Sequence, residues 1–162
     1  ALEGVGEHTE IAIIEGVVQF GAKTLGQVMT LRRDVFAIDE RTPPADVAHR
    51  VAQSGYSRVP IYRESLDHVV GMLHAFDLLQ MEASEPPALR PVAEATIGMP
   101  ANEFLFRMLR ERRHFAVVRD DAGQLAGIVT LEDLLEELVG DIRDEHDDPA
   151  PPTPPASAES DR

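Results

Sequence analysis

The stretch Gly127–Leu135 reads Gly-Ile-Val-Thr-Leu-Glu-Asp-Leu-Leu. Its apolar start has the length of a short buried strand, and the residues after Thr130 alternate between charged and apolar at helical spacing. A threonine at such a boundary caps a helix through its hydroxyl group. The stretch therefore predicts a strand that runs directly into a helix at Thr130.

The same pattern occurs earlier in the chain, at an offset of 56 residues that holds without a gap from position 44 to position 79. At this offset Gly71 aligns with Gly127, and Asp77-Leu78-Leu79 aligns with Asp133-Leu134-Leu135. Each copy predicts the order β-α-β-β-α, which makes the fold class α/β (α+β). One copy is too short to close a core, so we expect the two repeats to pack about a pseudo-two-fold axis.

Periodicity and turn residues place the other elements. We predict a lead-in helix over 10–21, with residues 1–9 frayed, and a helix that Thr42 caps and that ends before Gly55. The further predicted elements are strands over 35–38, 58–62, 69–73, 114–118 and 125–129, and helices over 74–81, from Pro100, and over 130–139. The predicted domains are an N-terminal segment (1–23), repeat 1 (24–83), repeat 2 (84–143) and a disordered acidic, Pro-rich tail (144–162).

Composition excludes several classes of protein. The chain has 162 residues and no cysteine, so it has no disulfide, thiolate zinc site or cysteine nucleophile. A net charge of −14 disfavours nucleic acid as a partner. The sequence has no Gly-x-Ser-x-Gly and no Walker-type phosphate loop, and its histidines lack the paired spacing of metal ligands. We therefore expect neither an enzyme nor a metal site.

Several segments together carry a resemblance to a known family. They are Val28-Met29-Thr30, Gly55–Pro60 (Gly-Tyr-Ser-Arg-Val-Pro), Asp77-Leu78-Leu79, Arg112–Val118 and Thr130–Ile142. In this order the chain resembles the tandem CBS-domain pair, or Bateman module, of the CorC, hemolysin-C and CNNM branch. The resemblance implies a regulatory module on the cytosolic side of a membrane domain implicated in magnesium or divalent-cation transport. It also implies a homodimer and a regulatory ligand, AMP or ATP, with or without Mg²⁺.

The resemblance assigns candidate nucleotide-binding residues. Thr130 and Asp133 lie one helical turn apart, so a hydroxyl and a carboxylate can meet a ribose or a phosphate; a plain Thr-x-x-Asp helix cap is the alternative. Arg58 can pair with phosphate, and it can also be an ordinary exposed arginine. The remaining candidates are Tyr56 beside the base, Ser57, Glu132 and Thr30, with Glu132 alternatively a helix-start charge.

Two departures from the family pattern shape the functional expectations. Leu31 stands where a proline usually follows Met-Thr, and His74 stands where repeat 1 would carry its ligand-contacting Thr or Ser. We therefore expect one nucleotide per chain, in the cleft of Thr130 rather than at His74 and Asp77. The alternative is a dimerisation module that has lost nucleotide binding. Candidate apolar dimer residues lie on the helices that start near Pro44 and Pro100: Val47, Val51, Phe104 and Met108.

Overall fold

The computed structural model describes residues 3–82 and 84–146. Its helices are α1 Glu3–Gly21, α2 Leu25–Val28, α3 Pro44–Ser54, α4 Ala75–Leu78, α5 Ala101–Glu111 and α6 Leu131–His146. Its strands are β1 Thr30–Leu31, β2 Ile38–Asp39, β3 Arg58–Arg63, β4 Ser65–His74, β5 Ala93–Thr96, β6 Phe115–Arg119 and β7 Leu125–Thr130. The predicted α/β class with two related repeats is confirmed.

Each repeat has its own sheet and core. The first sheet has the order β2-β3-β4 and the second the order β1-β7-β6-β5. Val47 and Val51 of α3 pack on the first sheet, and Phe104, Leu105 and Met108 of α5 belong to the core of the second. The apolar stripes of both helices therefore face inward, as their 3.6-residue periodicity requires.

The first strand of repeat 1 crosses to the sheet of repeat 2. Strand β1 pairs antiparallel with β7, so that Thr30 lies opposite Ile128 and Leu31 opposite Gly127. Backbones approach so closely here that a Cβ on Gly127 would lie 2.2 Å from the carbonyl oxygen of Thr30. This crossing brings Thr30 beside the junction of β7 and α6.

A polar cluster joins the two repeats. The Oδ1 atom of Asp67, on β4, accepts hydrogen bonds from Arg32 and from the Leu125 amide, the latter at 2.9 Å. The hydrogen bond from Arg32, followed by that from the Leu125 amide, lowers the pKa of Asp67 below its ordinary value. The Asp67 carbonyl in turn accepts from Arg119 Nη1 at 2.9 Å. These bonds tie the first sheet to the strands of the second.

The boundaries of several elements differ from those predicted. Helix α1 begins at Glu3, so residues 3–9 are helical rather than frayed. The strand predicted over 35–38 lies at Ile38–Asp39, because a 3-10 turn at Arg32–Asp34 occupies the chain before it. Pro43 rather than Thr42 is the N-cap of α3. Strands β1 and β5 were not predicted.

Helix α6 extends beyond the predicted end at residue 139, to His146. Its C-terminal half packs on α1, where Gly16 lies so close that a Cβ on it would be 2.6 Å from the Ile142 Cα. Lys23 adds ion pairs of 2.7 Å to both Glu137 and Asp141. The tail prediction is therefore wrong for residues 144–146, and residues 147–162 lie outside the described part of the chain.

The repeat offset is also not constant. In the first repeat Arg58 of β3 pairs with His74 of β4, and in the second Phe115 of β6 pairs with Thr130 of β7. Arg58 therefore corresponds to Phe115, at an offset of 57 residues, whereas His74 corresponds to Thr130 at an offset of 56. Strand β3 has six residues and β6 has five, which accounts for the difference. The ungapped alignment predicted from residue 44 onward is wrong by one position through the helix and the first strand residues.

Candidate functional site

A cleft of about 240 Å³ lies between the two repeats. All seven candidate residues from the sequence line it, so the fold brings together side chains that are up to 103 positions apart, from Thr30 to Asp133. Contact with a ligand remains a prediction. The lining consists of Thr30, Asp34, Val35, Phe36, Tyr56, Ser57, Arg58, Phe115, Ile128, Thr130, Glu132 and Asp133.

One wall of the cleft is the start of α6. The Thr130 hydroxyl accepts a hydrogen bond from the Asp133 amide at 3.1 Å, and Asp133 Oδ2 accepts from the Thr130 amide at 3.4 Å. This reciprocal pair is the helix cap that the sequence offered as an alternative. The cap uses one carboxylate oxygen of Asp133, which is an exposed residue. The hydroxyl hydrogen of Thr130 can still be donated to another group. Capping and ligand contact are therefore compatible.

Arg58 supplies the positive charge of the cleft. Its Nη1 lies 3.2 Å from Glu132 Oε1, and the arginine side chain is 21% exposed. Its Nε atom is buried and has no hydrogen-bond partner among the described residues. An unpaired buried donor is costly, and such groups occur at sites that bind a further partner.

The other end of the cleft is apolar. The ring of Phe36 stacks on that of Tyr56 with centroids 6.0 Å apart and planes 15° from parallel. Val35, Phe115 and Ile128 complete this end. Sequence reasoning missed Val35, Phe36, Phe115 and Ile128, because an apolar residue gives no signal that it borders a cleft. It also missed Asp34, which lies in the 3-10 turn Arg32–Asp34.

The equivalent residues of the first repeat are engaged with one another. His74 Nδ1 accepts a hydrogen bond from the Phe76 amide at 3.1 Å, and the two rings stack 5.1 Å apart. Burial lowers the pKa of His74, and the nearby Arg58 and Arg90 lower it further. The imidazole is therefore held in its neutral form.

Asp77, the equivalent of Asp133, is bound by Arg90 at both oxygens, at 2.9 and 3.0 Å. These hydrogen bonds lower the pKa of Asp77. The Arg90 backbone exchanges two hydrogen bonds with Met72. Met72 is the equivalent of Ile128, which pairs with Thr30 in the other repeat. Arg90 thus takes the place in the first cleft that Thr30 takes in the second.

A family model described as "CBS domain" matches this chain twice, over residues 25–84 and 88–140. The chain belongs to the CBS-domain family. Its two repeats form a CBS pair of the CorC, hemolysin C and CNNM type. In the described ranges no three His, Asp or Glu side chains are grouped to hold a metal ion, and no helix has the length and hydropathy to cross a bilayer.

Among similar proteins, the magnesium and cobalt efflux protein CorC of Vibrio cholerae is 36% identical over 149 residues, which are 88% of this chain and 51% of the relative. Hemolysin C of Brachyspira hyodysenteriae is 32% identical over 145 residues, 87% of this chain and 54% of the relative. The chain thus spans about half the length of these two relatives. UPF0053 protein YugS of Bacillus subtilis is 29% identical, and the match covers 35% of its length.

Solved structures give the same assignment. The CBS domain of a bacterial CNNM/CorC family Mg²⁺ transporter in complex with ATP has a TM-score of 0.75 and 34% identity, and the match covers 81% of this chain and 97% of that one. A CBS-domain pair from Klebsiella pneumoniae with bound AMP has a TM-score of 0.64 and 27% identity, with coverage of 73% and 99%.

Proposed function

We propose that this CBS pair is a regulatory, non-catalytic module that binds one adenine nucleotide, AMP or ATP, in the cleft of Thr130, Asp133 and Arg58. The observation that carries the proposal is the convergence on one cleft of a helix start, a free carboxylate oxygen and an arginine with an unpaired buried Nε. Asp133 is placed to accept from a ribose diol, and Arg58 to pair with phosphate. The similar structures with ATP and AMP support the choice of ligand.

The remaining lining residues have complementary roles in this proposal. Tyr56 and Phe36 offer ring faces to the base, and Ser57 and Thr30 offer hydroxyl groups to the sugar or phosphate. Glu132 opposes the phosphate, since its carboxylate is 3.2 Å from Arg58. A Mg²⁺ ion bound to the phosphates would offset that repulsion.

The state of the first cleft supports our proposal of one nucleotide per chain. Its ribose-side carboxylate, Asp77, is already neutralised by Arg90. Phe76 stands where the other repeat has Glu132, and its ring lies on His74. A second nucleotide would have to break a bidentate arginine–carboxylate pair, which is among the stronger side-chain interactions.

We propose further that the module acts on a transport domain that is covalently linked or associated, at the cytosolic face of a membrane. The names of the relatives, which include magnesium and cobalt efflux proteins, support this. Relatives about twice as long have room for such a domain.

The proposal is tested by thermal unfolding with AMP, ADP and ATP, each with and without Mg²⁺. A nucleotide at about 100 times its dissociation constant should stabilise the fold by roughly 2.7 kcal/mol, because it binds the native state alone. Guanosine nucleotides are the matched control for the base. Unchanged unfolding temperatures at millimolar adenine nucleotide would reject nucleotide binding and leave dimerisation as the function.

A second candidate, dimerisation, is favoured by an apolar groove of about 510 Å³ between α3 and α4. Phe76 and Leu79 on its rim are 69% and 80% exposed. Of the residues predicted for this role from sequence, Val47, Phe104 and Met108 are at most 3% exposed and belong to the intramolecular cores, so their assignment is wrong. Val51 is also a core residue, but it lines this groove. We propose a homodimer through the groove, in addition to nucleotide binding.

Light scattering at micromolar concentration should give twice the chain mass of 17.8 kDa. The double substitution Phe76→Ser and Leu79→Ser should give the monomer, because it removes the apolar rim that a second copy would bury. Val18→Ser is the control, since Val18 is 67% exposed on α1 and outside the groove. A monomeric wild type would contradict the dimer.

A further inference from the structure

Helix α1 has apolar residues on two opposite faces, and only one of these faces is packed. Ala12, Gly16 and Phe20 recur every four residues and are buried, and Gly16 lies directly against Ile142 of α6. An apolar helix face is normally buried against another element. The opposite face of α1, around Ile14, is instead exposed in the part of the chain that the structure describes.

The exposed face is a continuous stripe of three aliphatic side chains. Ile11, Ile14 and Val18 recur at positions i, i+3 and i+7, so they lie one above the other along the helix. They are 53%, 62% and 67% exposed. Single apolar residues on a surface are ordinary, whereas a contiguous apolar patch marks a site of interaction. We call these three residues the outer stripe.

Acidic side chains border the outer stripe on both edges. Glu10 lies four residues before Ile14, and Glu15 lies four residues after Ile11, so each carboxylate is a neighbour of the stripe. Both glutamates are exposed. From Glu3 to Gly21 the helix contains no lysine and no arginine. The outer stripe therefore fits a partner that is apolar at its centre and basic at its edges.

This charge pattern disfavours two other occupants. Two copies of the chain that met through the outer stripe would bring Glu10 and Glu15 of both copies together, and like charges across an interface are costly. A membrane surface with anionic lipids attracts helices that carry lysine and arginine on their polar face. Helix α1 carries glutamate there instead.

We propose that the outer stripe of α1 docks on an apolar helix of the transport domain, beside which lysine or arginine side chains lie. This inference rests on the proposed function, which supplies a transport domain at the cytosolic face of a membrane. The cytosolic ends of membrane-spanning segments carry an excess of lysine and arginine. Glu10 and Glu15 complement that charge, and the aliphatic stripe between them supplies the apolar contact.

Helix α6 connects this docking surface to the nucleotide cleft. Its first turn forms one wall of the cleft, and its 16 residues span about 24 Å. Near its other end Ile142 packs on Gly16 of α1. Lys23, just after α1, lies 2.7 Å from both Glu137 and Asp141 of α6. One helix thus joins the candidate nucleotide site to the helix that would contact the transport domain.

The test uses two synthetic helical peptides that share one face of leucines and carry either lysine or glutamate beside it. Fluorescence anisotropy of each labelled peptide, titrated with the chain, measures the affinity. We expect the lysine peptide to bind at least about tenfold more tightly than the glutamate peptide. Exchange of both acidic residues, Glu10→Lys with Glu15→Lys, should reverse that preference.

Removal of the apolar stripe should also weaken binding. Ile14→Ser with Val18→Ser should lower the affinity for the lysine peptide by about tenfold or more, because two aliphatic side chains are no longer buried. The matched control is Phe106→Ser with Leu109→Ser on α5, residues that are 62% and 48% exposed. This control should bind the peptide as the wild type does.

Four results would overturn the proposal. They are equal affinity for the two peptides, wild-type affinity in an Ile14→Ser, Val18→Ser variant that circular dichroism shows to be folded, loss in that variant of binding to vesicles of phosphatidylcholine and phosphatidylserine, and its conversion from dimer to monomer. The last two would assign the stripe to lipid or to a second copy. ATP titration of the same proteins separates the two proposals: peptide selectivity without ATP binding rejects nucleotide binding alone, and ATP binding without peptide selectivity rejects the docking surface alone.

Discussion

Replacement of Asp133 by alanine is expected to weaken ATP and AMP binding by about ten- to a hundredfold, because a charge-assisted hydrogen bond of roughly 1.5–3 kcal/mol is lost. Asp133 Oδ2 accepts from the Thr130 amide, and its other oxygen has no hydrogen bond within the described residues. That oxygen is the acceptor offered to a ribose. Calorimetric titration of each nucleotide measures the change.

Two controls separate ligand contact from helix capping. Asp133→Asn keeps a side-chain oxygen for the Thr130 amide but removes the charge, so circular dichroism should be unchanged while affinity falls. Asp77→Ala removes the equivalent carboxylate of the first repeat, which is bound to Arg90, and should leave nucleotide affinity unaltered. If Asp133→Ala remains folded and binds ATP as the wild type does, the site is wrongly placed.

Gly127→Ala should lower the free energy of unfolding by about 2–3 kcal/mol, at the upper end of the cost of overpacking. The added Cβ would lie 2.2 Å from the Thr30 carbonyl oxygen and 2.8 Å from Met29 Sδ. The flexible methionine can move, but the carbonyl belongs to the backbone of β1, which pairs with β7. Relief of the clash has to separate these strands, and it displaces Thr30 from the cleft. Nucleotide affinity should fall as well.

Urea unfolding measures the loss, with Gly140→Ala as the matched control. Gly140 lies within α6, and a Cβ there would meet nothing within 4 Å. The control should therefore gain about 0.5–1 kcal/mol from helix propensity. A Gly127→Ala protein as stable as the wild type would show that β1 does not pack against β7 as described.

The parts of the fold that sequence predicted are those with strong local signals. The strand and helix around Thr130 follow from periodicity and capping, and helix α3 follows from periodicity and from Pro44 in its first turn. Strand β5 escaped prediction because Ala93–Thr96 contains two alanines and a glutamate, which have low β-propensity. Its alternating burial arises from parallel pairing with β6, a tertiary property. Strand β1, two residues long, offers no periodicity at all.

In the candidate site, too, residues with a local sequence signal were predicted and contacts that depend on tertiary structure were not. Thr130, Asp133 and Arg58 were found because they lie in recognisable motifs, each next to a helix or strand boundary. The pairing of Arg90 with Asp77 could not be predicted, because Arg90 lies between the repeats and approaches Asp77 only after the chain bonds to Met72.

Titration of the wild-type chain with ATP, followed by calorimetry, tests the central claim most directly, since it reports both binding and the number of sites. The account predicts saturable binding of one nucleotide per chain, because Arg90 holds both carboxylate oxygens of Asp77 in the first repeat, whereas in the second cleft Asp133 keeps an oxygen and Arg58 keeps Nε without a hydrogen bond among the described residues. Binding of two equivalent nucleotides per chain, or no heat of binding at millimolar ATP with and without Mg²⁺, would contradict it.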